Sequence, residues 1–162
     1  MRYRSILLGL ALIGSVAGCR QKTKPAAVEV TSSRAYDAEQ DSNDPQRLIP
    51  LHYEQAQGKR VFYEKCVWCH SDATPAGPSN RSNLTPQPPL LNDGNVINPL
   101  SDSFIRNVVT LGGSAVGKSP MMPPWSQTLK PGEIQAVVAY VRAMAQPPYQ
   151  APGHPLSDFG VK

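Results

Sequence analysis

Cys66-Val67-Trp68-Cys69-His70 decides how this 162-residue chain is to be read. Two thiols three positions apart with an imidazole directly behind them are what covalent attachment of a c-type haem needs. The thiols add across the two porphyrin vinyl groups, and one helical turn sets His70 under the iron as proximal ligand. Two other chemistries share part of the pattern. A thioredoxin-like dithiol expects its pair behind a β-strand in a βαβ unit, whereas the residues upstream of Cys66 follow a helical pattern. A structural zinc site needs a second ligand pair, and only Cys19, His52 and His154 remain, scattered through the flanks.

Outward from the motif, residues 51–145 read as one domain. From His52 to about Cys66, Ala56, Val61 and Phe62 recur near helical spacing, so a first helix runs straight into the attachment site. Ser101 suits an N-cap ahead of Phe104, Ile105, Val108, Val109 and Leu111, with Gly112-Gly113 as the stop. Pro131 and Glu133 open a last helix whose apolar face is Ile134, Val137, Val138, Tyr140, Val141 and Met144, and Pro147 forbids its continuation. No stretch alternates with period two for long. The expected fold is all-α, with three principal helices around one covalently attached haem c, whose bulk compensates for a small side-chain core.

A second axial ligand to the iron belongs downstream of His70. Met121-Met122-Pro123-Pro124-Trp125 lies between the middle and last helices, in a loop whose prolines can hold a side chain against a ring. Met122 is preferred to Met121 because the rigid Pro123 fixes its backbone. A thioether is a soft ligand that favours ferrous iron. His52 and His154 are weaker alternatives, each in or beside a flank.

The N-terminus points to export. Met1-Arg2-Tyr3-Arg4 is a short positive region, and the apolar run Ile6–Val16 is too short to cross a bilayer. Val16-Ala17-Gly18-Cys19 resembles the lipobox of bacterial lipoproteins. That resemblance implies a signal peptide over 1–18 and acylation of Cys19, which anchors the chain to membrane lipids in the cell envelope. The alternative is an ordinary signal peptide that leaves Cys19 as a free thiol. Residues 19–50 carry Lys, Glu, Asp, Gln, Ser and Pro without sustained periodicity, as expected of a flexible tether. Residues 146–162, with Pro147, Pro148, Pro152 and Pro155, read as an extended tail.

Charge excludes more than it identifies. The formal net charge is +4, of which Arg2 and Arg4 leave with the signal segment, and two haem propionates offset the rest. The remaining basic residues, Arg81 and Arg106 among them, are scattered without the interleaved aromatics of a single-strand binder, so no nucleic-acid partner is expected.

Residues 51–145 resemble class I cytochrome c: an early haem motif, three principal helices, and Met122-Pro123 before the last helix. Gly58-Lys59-Arg60-Val61-Phe62 resembles that family's N-terminal helix, where glycine permits a close crossing and an aromatic fills it; Tyr140 resembles the aromatic of the opposing helix. Pro88-Pro89-Leu90 resembles the proximal-side segment. The resemblance implies that a proline carbonyl, Pro88 ahead of Pro86 or Pro89, accepts the outer ring N–H of His70. Trp68, Leu90, Val109, Trp125 and Val138 are expected to keep water from the haem.

Two axial ligands leave no open coordination position, so the expected function is electron transfer between redox protein partners of a respiratory or photosynthetic membrane system, without catalysis. The chain then acts as a tethered carrier or as a fixed subunit of a complex. A five-coordinate haem enzyme or gas sensor is the alternative if Met122 does not bind iron.

Overall fold

The computed structural model describes residues 35–151; the expected signal segment, Cys19 and the chain beyond 151 lie outside them. The elements in chain order are β1 (Asp37–Gln40), β2 (Leu48–Leu51), α1 (Tyr53–Lys65), α2 (Val67–His70), β3 (Ala73–Thr74), β4 (Gly77–Pro78), α3 (Gly94–Ile97), α4 (Asp102–Leu111) and α5 (Pro131–Met144). The three helices expected from the sequence are α1, α4 and α5. Each starts where the sequence supplies partners for free backbone groups. The Gln55 side chain accepts from the His52 N–H at 2.9 Å, Ser101 Oγ accepts from the Phe104 N–H at 3.1 Å, and Glu133 accepts from the Lys130 N–H at 2.7 Å. Gly112, at φ +79°, ends α4 in a conformation that other residues resist.

The frame is the contact of α1 with α5. Gly58 makes it possible: a Cβ there would lie 2.8 Å from the Tyr140 Cβ and would collide with the Ala136 carbonyl. One turn on, the Phe62 ring lies 5.3 Å from that of Tyr140. Ala56, Phe62, Val137, Val138, Tyr140 and Val141 fill the core between the helices, and Ile97 and Ile105 close it from α3 and α4.

Two features correct the expected all-α, three-helix fold. Among the described residues there are five α-helices, because α2 and α3 are single turns of four residues. The described residues also form two small antiparallel pairs, β1 with β2 and β3 with β4. Strands of two to four residues, one ending in Pro78 and another containing Pro50, are too short to show alternation against a polar background.

The hairpin falls inside the expected tether, so the stretch from 37 to 50 is ordered rather than free. Glu39 explains why. Its carboxylate accepts from the Tyr140 hydroxyl at 2.7 Å and the Tyr63 hydroxyl at 3.2 Å, and it lies 3.5 Å from Lys59 Nζ. Leu51, with no exposed surface, and Ile49 turn from β2 into the same core. The expected free tail is likewise fixed at its start. Gln146 exchanges backbone bonds with Asn92 and Gly94, both at 2.8 Å, and Asn98 donates to the Pro147 carbonyl at 2.9 Å. The buried Arg142 donates to the Ile97 and Leu100 carbonyls and to Asp102, and its guanidinium lies over the Tyr149 ring.

Gly58→Ala should lower unfolding free energy by about 1–3 kcal/mol or more through overpacking, read as a reduced midpoint in urea. An unchanged midpoint would show that the crossing can open without cost. Tyr140→Phe removes a hydrogen bond to a charged acceptor and should cost about 1.5–3 kcal/mol. Burial first, then the Glu39 charge, raises the Tyr140 pKa above its ordinary value of 10.0. The folded chain therefore keeps a proton that the unfolded chain sheds, and stability should fall as pH rises above about 10. That alkaline slope should be shallower in Tyr140→Phe; equal slopes would assign it to another group.

Candidate haem site

α1 ends where the attachment motif begins. Cys66 is at once the last cap of α1, its N–H donating to the Phe62 carbonyl at 2.8 Å, and the start of α2. The Cys66 carbonyl then accepts from Cys69 at 3.1 Å and His70 at 3.0 Å, so one turn carries both thiols and the imidazole on a rigid extension of α1. Both cysteines are free thiols, Cys66 buried and Cys69 half-buried.

Burial, aided by the neighbouring Cys69, pushes the Cys66 thiol up to about 12. Its surroundings suit a neutral sulfur, and a thioether is one. Burial lowers the His70 pKa; the Pro89 hydrogen bond acts the other way, and the Arg81 charge adds to the lowering. The imidazole is held in the neutral form that binds metal.

His70 Nδ1 lies 2.9 Å from the Pro89 carbonyl. This corrects the expected Pro88, and Arg81 is the reason. Its Nε donates to the Pro88 carbonyl at 2.8 Å and its Nη1 to Asp72 Oδ1 at 3.0 Å, tying the start of the 71–91 loop to its end. With the Pro88 oxygen turned to the guanidinium, the next carbonyl is the one that meets the ring. The Leu91 N–H donates to the His70 carbonyl at 3.3 Å and Asn80 to that of Trp68 at 2.8 Å, closing the loop over the motif. An Nδ1–H donated to Pro89 leaves Nε2 with its lone pair for a metal. Arg81 was not distinguishable in the sequence from the other scattered cations; its only signal is that it stands inside a proline-rich loop.

The other expected residues fall into two groups. Met122, Trp125 and Val61 pack on a second apolar cluster of Val109, Leu129 and Ile134, whereas Met121 is 66% exposed. The Met122 loop is pinned by the Gly113 N–H, which donates to the Met122 carbonyl at 2.9 Å. The Trp125 indole Nε1 is buried without a hydrogen-bond partner, as suits a site that receives an acceptor from a bound group. Val138 belongs to the main core rather than this cluster. Leu90 is half-buried, and its neighbour Leu91 is the leucine packed on the core. Trp68 is 47% exposed, so shielding from water rests on other residues.

The family described as cytochrome C oxidase, cbb3-type, subunit III matches residues 54–141, more than half of the chain. A segment of 92 residues, 57% of the chain, is 27% identical to the Cbb3-type cytochrome c oxidase subunit FixP of Bradyrhizobium diazoefficiens. The match spans 28% of that protein's length, so the chain corresponds to about a quarter of this relative. The motif at Cys66, Cys69 and His70 fits a covalently attached c-type haem with its iron, and the domain is a cytochrome-c-type electron-transfer domain.

In Arg81→Ala the Pro88-Pro89 segment loses its tie to Asp72. The Nδ1 proton of His70 in the diamagnetic ferrous protein should then exchange with deuterium faster than in the parent, followed by NMR. An unchanged rate would mean that Pro89 is held by its own backbone.

Proposed function

The chain belongs to the cbb3-type cytochrome c oxidase subunit III family, and from that premise we propose that it is a lipid-anchored monohaem electron-transfer subunit of a membrane respiratory complex. The observation that carries the haem reading is the 2.9 Å contact of His70 Nδ1 with the Pro89 carbonyl beside two free thiols on one turn. Cys66 and Cys69 would hold the porphyrin through thioethers, and His70 and Met122 would bind its iron. The bound haem iron supplies a one-electron ferric–ferrous couple. Pro89 fixes the His70 tautomer, and Met122, on a loop pinned at Gly113, gives a soft donor that favours the reduced state. Trp125 offers its unpartnered indole N–H to the group that fills the site. If His70 and Met122 both bound the iron, no position would be left for a substrate, in keeping with electron transfer rather than catalysis.

Anchoring rests on Val16-Ala17-Gly18-Cys19, with acyl chains on Cys19 holding the domain at the outer face of an envelope membrane. Among the described residues no helix is long and apolar enough to cross a membrane. Complex membership rests on the family and on the oxidase subunit named above. Redox proteins of that complex are its donor and acceptor.

The oxidised protein should show the weak far-red charge-transfer band of sulfur–iron ligation at neutral pH, and Met122→Leu should abolish it. Loss of the band in Met121→Leu instead would reassign the ligand, and no band in the parent would remove methionine ligation. Intact-mass measurement should find a chain beginning at Cys19 with one haem and acyl chains; an unacylated product would remove the anchor.

A further inference from the structure

The β1–β2 hairpin has its polarity inverted. Asp37 pairs with Leu51 and Glu39 with Ile49: Leu51 and Ile49 turn onto the core, Glu39 onto Lys59 and the tyrosine hydroxyls, and Asp37, 45% exposed, lies at the edge beside Lys59. Directly paired residues share a face and alternate residues change face. The outward face therefore carries Ala38 opposite Pro50 and Gln40 opposite Leu48, with Tyr36 one step before β1 on the same side. Leu48 is 64% exposed and Tyr36 61%. Tyr53, 62% exposed, extends this face, its ring set edge-on to Tyr36 at 5.0 Å. The hairpin's charges lie off this face: Lys59 stands between Asp37 and Glu39, Arg47 pairs with Asp41, and Asp44 is in the turn.

We propose that this uncharged outer face, Tyr36, Leu48, Pro50 and Tyr53, rests in the interfacial layer of the membrane that anchors the chain. The proposal builds on acylation of Cys19. The chain enters the hairpin at Tyr36, only 17 positions after Cys19, a length whose random-coil span is about 20–25 Å. An anchor that short keeps the face at high effective concentration beside the bilayer, so a small apolar patch is enough to dock. Tyrosine rings, apolar in body and polar at the tip, suit the headgroup level. None of the four residues of the face is charged, so docking needs no anionic lipid. α1 starts at this face and ends at the haem motif, so the membrane end and the redox end of the domain are separated by about 20 Å along one helix.

With Cys66 and Cys69 in thioethers and Cys19 acylated, a cysteine introduced as Leu48→Cys is the thiol left for a nitroxide label. The full-length holoprotein is placed in neutral phosphatidylcholine vesicles after its acylation is verified by intact mass, and collision rates with oxygen and with an aqueous nickel chelate are measured by EPR. The oxygen-to-nickel ratio at position 48 should be several-fold higher than at a Ser103→Cys control on α4, and should not change with salt. Equal ratios at the two positions in acylated protein would overturn the proposal while leaving the anchor intact. A label that is aqueous in vesicles but shielded in the complex from native membranes would also overturn it, assigning the face to a protein subunit. Absence of acylation would overturn both the anchor and this inference.

Discussion

Everything in the domain depends on how closely α1 approaches α5. Gly58 lets the backbone of α1 lie against Ala136 and Tyr140, and Phe62 then fills the space beside the Tyr140 ring. Because α1 passes directly into the attachment turn at Cys66, the crossing also fixes the orientation of the thiols and of His70 relative to the core. The same tyrosine reaches the opposite way, through its hydroxyl, to hold Glu39 and with it the hairpin. One contact thus couples packing, cofactor geometry and the entry of the N-terminal chain.

The electrostatics of the site follow from burial. A neutral sulfur and a neutral imidazole are the forms that the surroundings of Cys66 and His70 favour, and both are the forms that a bound c-type haem requires. The polar work is delegated outward. Arg81 holds Pro88, which leaves Pro89 to orient the imidazole, so a half-buried cation acts on His70 through two successive carbonyls.

Much of this was legible in the sequence, because the features concerned are local. The haem motif is five consecutive residues; the starts of α4 and α5 are written in Ser101 and in Pro131 with Glu133; and Gly58 and Tyr140 stand at positions that the cytochrome c resemblance singles out. What was not legible depends on contacts between distant residues. Nothing in Asp37-Ala38-Glu39-Gln40 announces a strand, since its order comes from a hydroxyl 101 residues away. The choice of Pro89 over Pro88 is set by a guanidinium seven residues upstream of Pro88, and no spacing rule encodes which carbonyl a loop will turn inward. The ordered start of the C-terminal segment is of the same kind, being fixed by bonds to Asn92, Gly94 and Asn98 across the fold.

The central claim is that iron in this domain is held by His70 and Met122. Its most direct test is a proton–carbon correlation spectrum of the ferrous protein carrying ¹³C-methyl methionine. Ligation by Met122 predicts one methionine methyl displaced far upfield by the porphyrin ring current, with that signal missing from Met122→Leu. Methionine methyls all at ordinary shifts, or an upfield signal that survives Met122→Leu and disappears in Met121→Leu, would contradict it.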